Sequence, residues 1–180
     1  VTVVEEAGQD RLAALIAATI GWLLIGTAWA QAEKVSDRDQ QFLKQAAHAG
    51  TAEVKLGAMA KEQAASPEVQ EFGQRMLTDH TKANEALMAL AQAKDISVPA
   101  EMDEQHQETA ERLSKMQGSQ FDREFMRHMV KDHEKAVQLF SMASQESQDA
   151  EIKAFATKTL PTLQEHLQLA RQLAQQLKAS

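Results

Sequence analysis

AGTAEVKLGAMAKEQAASPEVQEFGQRMLTDH, residues 49–80, decides how the rest of this chain is read. Its first half carries Ala49, Glu53, Leu56 and Ala60 at alternating four- and three-residue steps, the spacing of one face of an α-helix. Ser66-Pro67 interrupts it, a pair that suits a helix N-cap followed by proline at the first helical position, where no backbone N–H is needed. Val69, Phe72, Met76 and His80 then begin a second stripe. The stretch therefore predicts two helices folded back across a short turn. In each stripe one position expected to be apolar is ionisable, Glu53 in the first and His80 in the second.

Working outward, the first helix should run over about residues 37–65, with Phe42 and Ala46 extending its stripe. The second should run over about 67–94, adding Ala83, Leu87 and Leu90. Asp95-Ile96-Ser97-Val98-Pro99 breaks the pattern. A shorter amphipathic stretch follows at about 101–116, ended by Gly118-Ser119. A long helix over about 120–146 carries Met126, Met129, His133, Val137 and Phe140. Asp149 should cap a last helix reaching about residue 178, with Ile152, Phe155, Thr159, Leu163, His166, Ala170, Leu173 and Leu177 on its stripe. Pro161 lies inside it, so a kink or short break is expected near Thr159 and Leu160.

The two hairpins are related by an internal repeat. A shift of 83 positions pairs Asp39 with Asp122, Phe42 with Phe125, Val54 with Val137, Leu56 with Leu139, Met59 with Met142, Glu68 with Glu151 and Phe72 with Phe155, without a gap. Leu77 with Leu160 and Leu90 with Leu173 extend the register. A duplicated helical hairpin joined by a long connection predicts an all-α, ferritin-like four-helix bundle, with the short helix as part of the crossover. Residues 95–119 are long enough to run the length of such a bundle at ~1.5 Å per helical residue, which would set the two hairpin turns at opposite ends.

Composition agrees. Of 180 residues 25% are charged and 4% aromatic, Tyr is absent and only 7 Gly and 3 Pro occur, which favours helices over sheets. A net charge of −7 leaves no electrostatic footprint for nucleic acid. With no cysteine there is neither a disulfide nor a thiolate metal ligand. No nucleophile motif, phosphate loop or dinucleotide fingerprint is present, and whether the protein is an enzyme stays open. A protein partner or self-association is likewise undecided.

The N-terminal part reads as targeting sequence. Leu12 to Ala30 is an uncharged apolar run ending Ala28-Trp29-Ala30, which fits a signal-peptidase site. Residues 1–30 are thus expected to be a signal peptide, with residues 31–180 as the bundle domain, exported to the periplasm or cell envelope. The rival reading is an uncleaved helical anchor, since residues 12–30 are long enough to span a bilayer; that would be the only membrane contact. Glu5, Glu6 and Asp10 against a single Arg11 depart from the usual basic start.

Glu53, His80, His133 and His166 each interrupt an apolar stripe, one per long helix. Glu53 and His80 lie symmetrically about the first turn, ~20 Å from it, and His133 and His166 about the second, at ~25 Å. In helices of ~42 Å with turns at opposite ends, both pairs fall near the middle. Three imidazoles and a carboxylate converging in an apolar bundle form a metal-binding arrangement suited to one zinc, iron, manganese or copper ion. The competing reading is a metal-free, hydrogen-bonded polar layer that fixes the register of the bundle in a structural or partner-binding protein. Asp79, Asp132 and Glu165 each precede one of the histidines and could orient imidazoles on neighbouring helices. Met76 and Met129 read as core, while His48, His106 and His128 fall off the stripes and are expected at the surface.

The pattern Asp39-x-x-Phe-Leu, Gly50-x-x-Glu53-Val-x-Leu-Gly57, Pro67-x-Val, Met76-x-x-Asp79-His80, Phe121-Asp122-Arg123, Asp132-His133 and Thr159-Leu-Pro161 with His166-Leu resembles a family of bacterial exported proteins. The family is catalogued as a domain of unknown function, and its members are often described as outer-membrane or periplasmic proteins. The resemblance spans about residues 37–175. It implies a ferritin-like bundle and an envelope location, and no reaction. Di-iron bundles carry Glu-x-x-His on two helices; here the residues three before the histidines are Leu77, Val130 and Leu163, which disfavours di-iron oxygen chemistry and iron mineralisation. The expected function is metal binding in the envelope, with a role in metal handling or oxidative or envelope stress.

Overall fold

The computed structural model describes residues 34–179. The expected signal or anchor segment, residues 1–30, lies outside the described residues. Five helices follow one another: α1 (Asp37–Gln63), α2 (Pro67–Ala93), α3 (Glu104–Ser114), α4 (Gly118–Glu146) and α5 (Ala150–Ala179). Among the described residues there is no strand, and no helix is long and apolar enough to cross a membrane.

The caps set the boundaries. Ser36 and Ser66 accept hydrogen bonds from the amides of Asp39 and Val69, and Pro67 opens α2 as the sequence predicts. Asp149 Oδ1 accepts from the amides of Glu151 and Ile152 at 3.0 Å each, which starts α5. The short helix begins later than the periodicity suggests, at Glu104, because Asp103 caps it by accepting from the amide of His106 at 2.9 Å. Of the kink or short break expected near Thr159 and Leu160, the break does not occur: α5 is one continuous helix through Pro161. Proline removes one intrahelical hydrogen bond there, and Ile152 and Ala156 before it and Leu163 and Ala170 after it are buried, so both halves of the helix stay packed.

α1 packs on α2 and α4 on α5, as hairpins; α1 also lies beside α4 and α2 beside α5, giving a bundle of four long helices with α3 against α1 and α4. The hairpin turns sit at opposite ends. Asp122, near the start of α4, accepts hydrogen bonds from the amides of Ala65 and Ser66 in the first turn, at 3.0 and 2.9 Å. Lys94, at the end of α2, pairs with Asp149 (2.7 Å) and Glu151 (2.6 Å) at the second turn. The connection from Lys94 to Gly118 therefore travels the length of the bundle.

Two apolar cores fill it. One gathers Leu56, Phe72, Met76, Phe121, Phe125, Met126 and Met129 near the first turn. The other gathers Phe42, Leu43, Leu87, Phe140, Ile152 and Leu163 near the second. Glu53, His80, His133 and His166 are buried between these two sets of positions along their helices.

Candidate metal centre

Each of the four long helices delivers one residue to this polar layer. His80 comes from α2, His133 from α4 and His166 from α5, and their ring centroids form a nearly equilateral triangle with sides of 5.7, 5.5 and 5.5 Å. One ring nitrogen of each lies within 4.8 Å of the other two. His133 and His166 are 1% and 0% exposed.

For His133 and His166, hydrogen bonds fix which ring nitrogen keeps its lone pair. His133 Nδ1 donates to the carbonyl of Met129, one turn back, at 2.9 Å. A carbonyl can only accept, so Nδ1 carries the proton and Nε2 keeps its lone pair. His166 Nε2 donates to Asp79 Oδ2 on α2 at 3.0 Å, which leaves its Nδ1 free to accept. His80 Nε2, His133 Nε2 and His166 Nδ1 are all buried without a hydrogen-bond partner. Asp79 thus orients an imidazole on a neighbouring helix, the arrangement that carries histidine to a metal in many sites. Glu165 instead pairs with Arg75 at 3.1 Å.

Glu53 stands beside the triangle rather than in it. Its Oε1 is 3.8 Å from His133 Nδ1, the nitrogen turned toward Met129, and its Oε2 is buried without a partner. The structure brings three of the four expected ligands into mutual reach and sets the carboxylate alongside.

Burial dominates the electrostatics. It pushes the His80 imidazole well below its ordinary pKa, with His133 and His166 adding to the shift. Burial, then His166, lowers His133 to about 4. Burial also lowers His166, although Asp79 opposes it. The triad therefore resists protonation and keeps its lone pairs at neutral pH. Glu53 moves the other way: burial, then the charge of Asp132, raises it well above the usual carboxylate range.

The triad opens onto a cavity of about 400 Å³. Ala83, Leu87, Phe140, Phe155 and Leu163 wall it on one side, and His48, Asp103, His106 and Asp132 also line it. The last group was not legible as a site. His106 and His128, expected at the surface, have side chains only 12% exposed and flank Asp132, which is 9% exposed. Their burial comes from α3 lying against α4, a contact that stripe spacing within one helix does not reveal. Burial pushes Asp132 up, but His106 and His128 outweigh it and hold the carboxyl well below its ordinary value. His106 is raised, chiefly by Asp132. Met76 and Met129 are core, as expected.

A helical bundle whose middle layer presents three histidines, each with one ring nitrogen left without a partner, is the class of protein that fold and site define. The chain belongs to the family described as Domain of unknown function (DUF4142), which matches residues 26–173. No curated protein matches the sequence. Among solved structures, a DUF305 fragment from Deinococcus radiodurans is similar with a TM-score of 0.70 and 14% identity, over 79% of this chain and 98% of that one. CopM in its Cu(II)-bound form is similar with a TM-score of 0.65 and 22% identity, over 77% of this chain and 96% of that one. CopM in its Cu(I)-bound form gives 0.65 and 20% over the same shares. At these identities the likeness is one of fold.

Proposed function

We propose that this protein binds a metal ion, most favourably copper, at His80, His133 and His166, with Glu53 as the adjacent charge that compensates the cation. The observation that carries the reading is a set of three buried histidines with one ring nitrogen of each within 4.8 Å of the other two, each of which also has a buried ring nitrogen without a hydrogen-bond partner. Leaving a buried acceptor unsatisfied costs roughly 1–3 kcal/mol each, and one ion would satisfy all three together. A metal-free polar layer predicts hydrogen bonds among its members. None links the three histidines, and Glu53 and His133 stay 3.8 Å apart.

The donor set supports the choice of ion. Three neutral imidazoles without a carboxylate in the first rank disfavour manganese, which takes oxygen donors, and suit copper, zinc or iron. CopM, solved with Cu(II) and with Cu(I), supports copper. Three protein ligands facing a cavity leave a coordination position for an exogenous ligand, which suits an ion that is exchanged. The ferritin-like topology is part of the same reading, supported by two hairpins, opposed turns and a crossover of full bundle length. So is an envelope location with a role in copper handling under stress, supported by the apolar run from Leu12 to Ala30 and its Ala-x-Ala end.

The test is the metal content of the native protein purified without a histidine tag. Copper that is lost on His80→Ala or His133→Ala is the expected result. Metal-free native protein that also fails to take up Cu(I), Cu(II) or Zn(II) at micromolar concentration would overturn the reading.

A further inference from the structure

We propose that the cavity beside the triad binds a small, neutral aromatic molecule carrying a hydroxyl group, a phenol or naphthol in chemical class. The space follows from the match between the two hairpins. At a shift of 83 positions His133, His166 and Glu53 fall on Gly50, Ala83 and Ala136, and all three of these line the cavity. Where one hairpin places a polar side chain, the other places a hydrogen or a methyl group. The volume left is about 400 Å³, within the range of ~300–1,000 Å³ of small-molecule sites and above the ~150 Å³ that holds benzene in an engineered apolar core.

The apolar lining suits a flat ring. Leu87 and Leu163 are 2% and 3% exposed. Phe140 and Phe155 stand with ring centroids 5.9 Å apart and planes tilted by 50°. A tilted pair offers both a face and an edge to a third ring, the two arrangements that aromatic groups prefer.

A bare hydrocarbon would leave polar groups of the lining unsatisfied. His80, His133 and His166 each have one buried ring nitrogen without a partner, and on His133 and His166 that nitrogen bears a lone pair. Asn84 lines the cavity too. Its amide oxygen lies 2.0 Å from where a Cβ on Gly50 would stand, and its side chain has no hydrogen-bond partner among the described residues. A hydroxyl can donate to an imidazole and accept from an amide. An ionised ligand fits less well. Burial holds His80 and His133 below their ordinary pKa and Glu53 above its own, so this layer is uncharged near neutral pH. The charged residues of the lining already have partners: Asp79 with His166, Asp103 with His106, and Asp132 with Lys135. Burying a further, unpaired charge costs far more than burying a hydroxyl. The inference is independent of the metal reading, since it needs only the cavity and the unpartnered atoms of the free chain.

The experiment is the fluorescence anisotropy of 2-naphthol, excited beyond the absorption of tryptophan, titrated with the full, untagged, metal-stripped chain. Naphthalene, read by competition, is the comparison. Saturable binding of one naphthol per chain is expected, with naphthalene at least tenfold weaker. A83L/A136L fills the space without removing a polar group and is expected to weaken naphthol binding more than tenfold, with folding verified by circular dichroism. Asn84→Leu, at a half-exposed position, is expected to narrow the difference between naphthol and naphthalene, and it decides where the double variant does not fold. No saturable binding to the parent chain, or unchanged binding in folded A83L/A136L, would overturn the proposal. Equal affinity for naphthol and naphthalene in the parent would overturn the assigned class. Copper uptake by the same parent chain separates the two readings: copper bound without naphthol defeats this proposal alone, and naphthol bound without copper defeats the metal reading alone.

Discussion

Glu53 and the histidines beside it have opposite proton preferences for one reason. Burial disfavours whichever form is charged, so the carboxyl rises and the imidazoles fall. For Glu53 this means that, without a cation nearby, its ionised form opposes folding as pH rises above the normal carboxylate range. Glu53→Gln is therefore expected to stabilise the metal-free protein at neutral pH by about 1–3 kcal/mol in urea denaturation. The same variant should bind copper about tenfold more weakly, since the compensating charge beside the ion is gone. An apo stability that falls, with metal affinity unchanged, would refute this assignment. The four polar-layer residues were legible because each breaks an apolar stripe on its own helix. The Asp132 cluster was not, because nothing in α4 alone says that α3 covers that face.

At the scale of the helices, the first hairpin is held unusually close. A Cβ on Gly73 would meet the Gly57 carbonyl at 2.7 Å and the Ala60 Cβ at 2.8 Å, and one on Gly57 would meet the Gly73 carbonyl at 2.7 Å. Backbone atoms cannot step aside as a flexible side chain can, so Gly73→Ala should push α1 and α2 apart. A loss of about 1–3 kcal/mol is expected in chemical denaturation, together with weaker copper binding, because His80 lies two turns along α2 from the contact. Asp122 binds the start of α4 to the first turn by accepting two amide hydrogen bonds. Asp122→Ala strands both amides and should cost about 2 kcal/mol in thermal or urea unfolding, without altering metal stoichiometry. An Asp122→Ala protein as stable as the parent would show that the turn docks by other contacts.

For the molecule as a whole, the repeat explains how one layer can be both a site and a cavity. Moved by 83 positions, His133 falls on Gly50, His166 on Ala83, Glu53 on Ala136 and His80 on Leu163, and all four of these equivalents line the cavity. One copy of the repeat supplies each polar group and the other supplies the wall opposite. The cost of the layer depends on pH. The unfolded chain takes up protons on its histidines near pH 6.5, whereas the folded triad does not, so the stability present above that pH is lost as pH falls. His133, protonating in the fold at about 4, alone accounts for roughly 3 kcal/mol of loss between pH 6.5 and 4. His106, which is raised, works in the opposite sense and loses its contribution as pH increases. Metal-free protein is thus expected to unfold at lower urea concentration at pH 4.5 than at pH 7, and the difference should shrink when His133 is replaced by Leu. Equal midpoints at the two pH values would contradict the burial of neutral imidazoles.

The amino-acid order by itself determined five helices, their caps at Ser66 and Asp149, the match of one hairpin to the other at a shift of 83 positions, and which side chain of each long helix would be the odd one in its core. These follow from spacing and capping chemistry, which act over a few residues. Only the packed structure decided that three imidazoles, not four ligands, share one point, that α5 continues through Pro161, and that Asp132 is enclosed by two histidines. Those outcomes depend on which faces of separate helices meet and at what height, and chain segments far apart in sequence settle that only when the bundle closes.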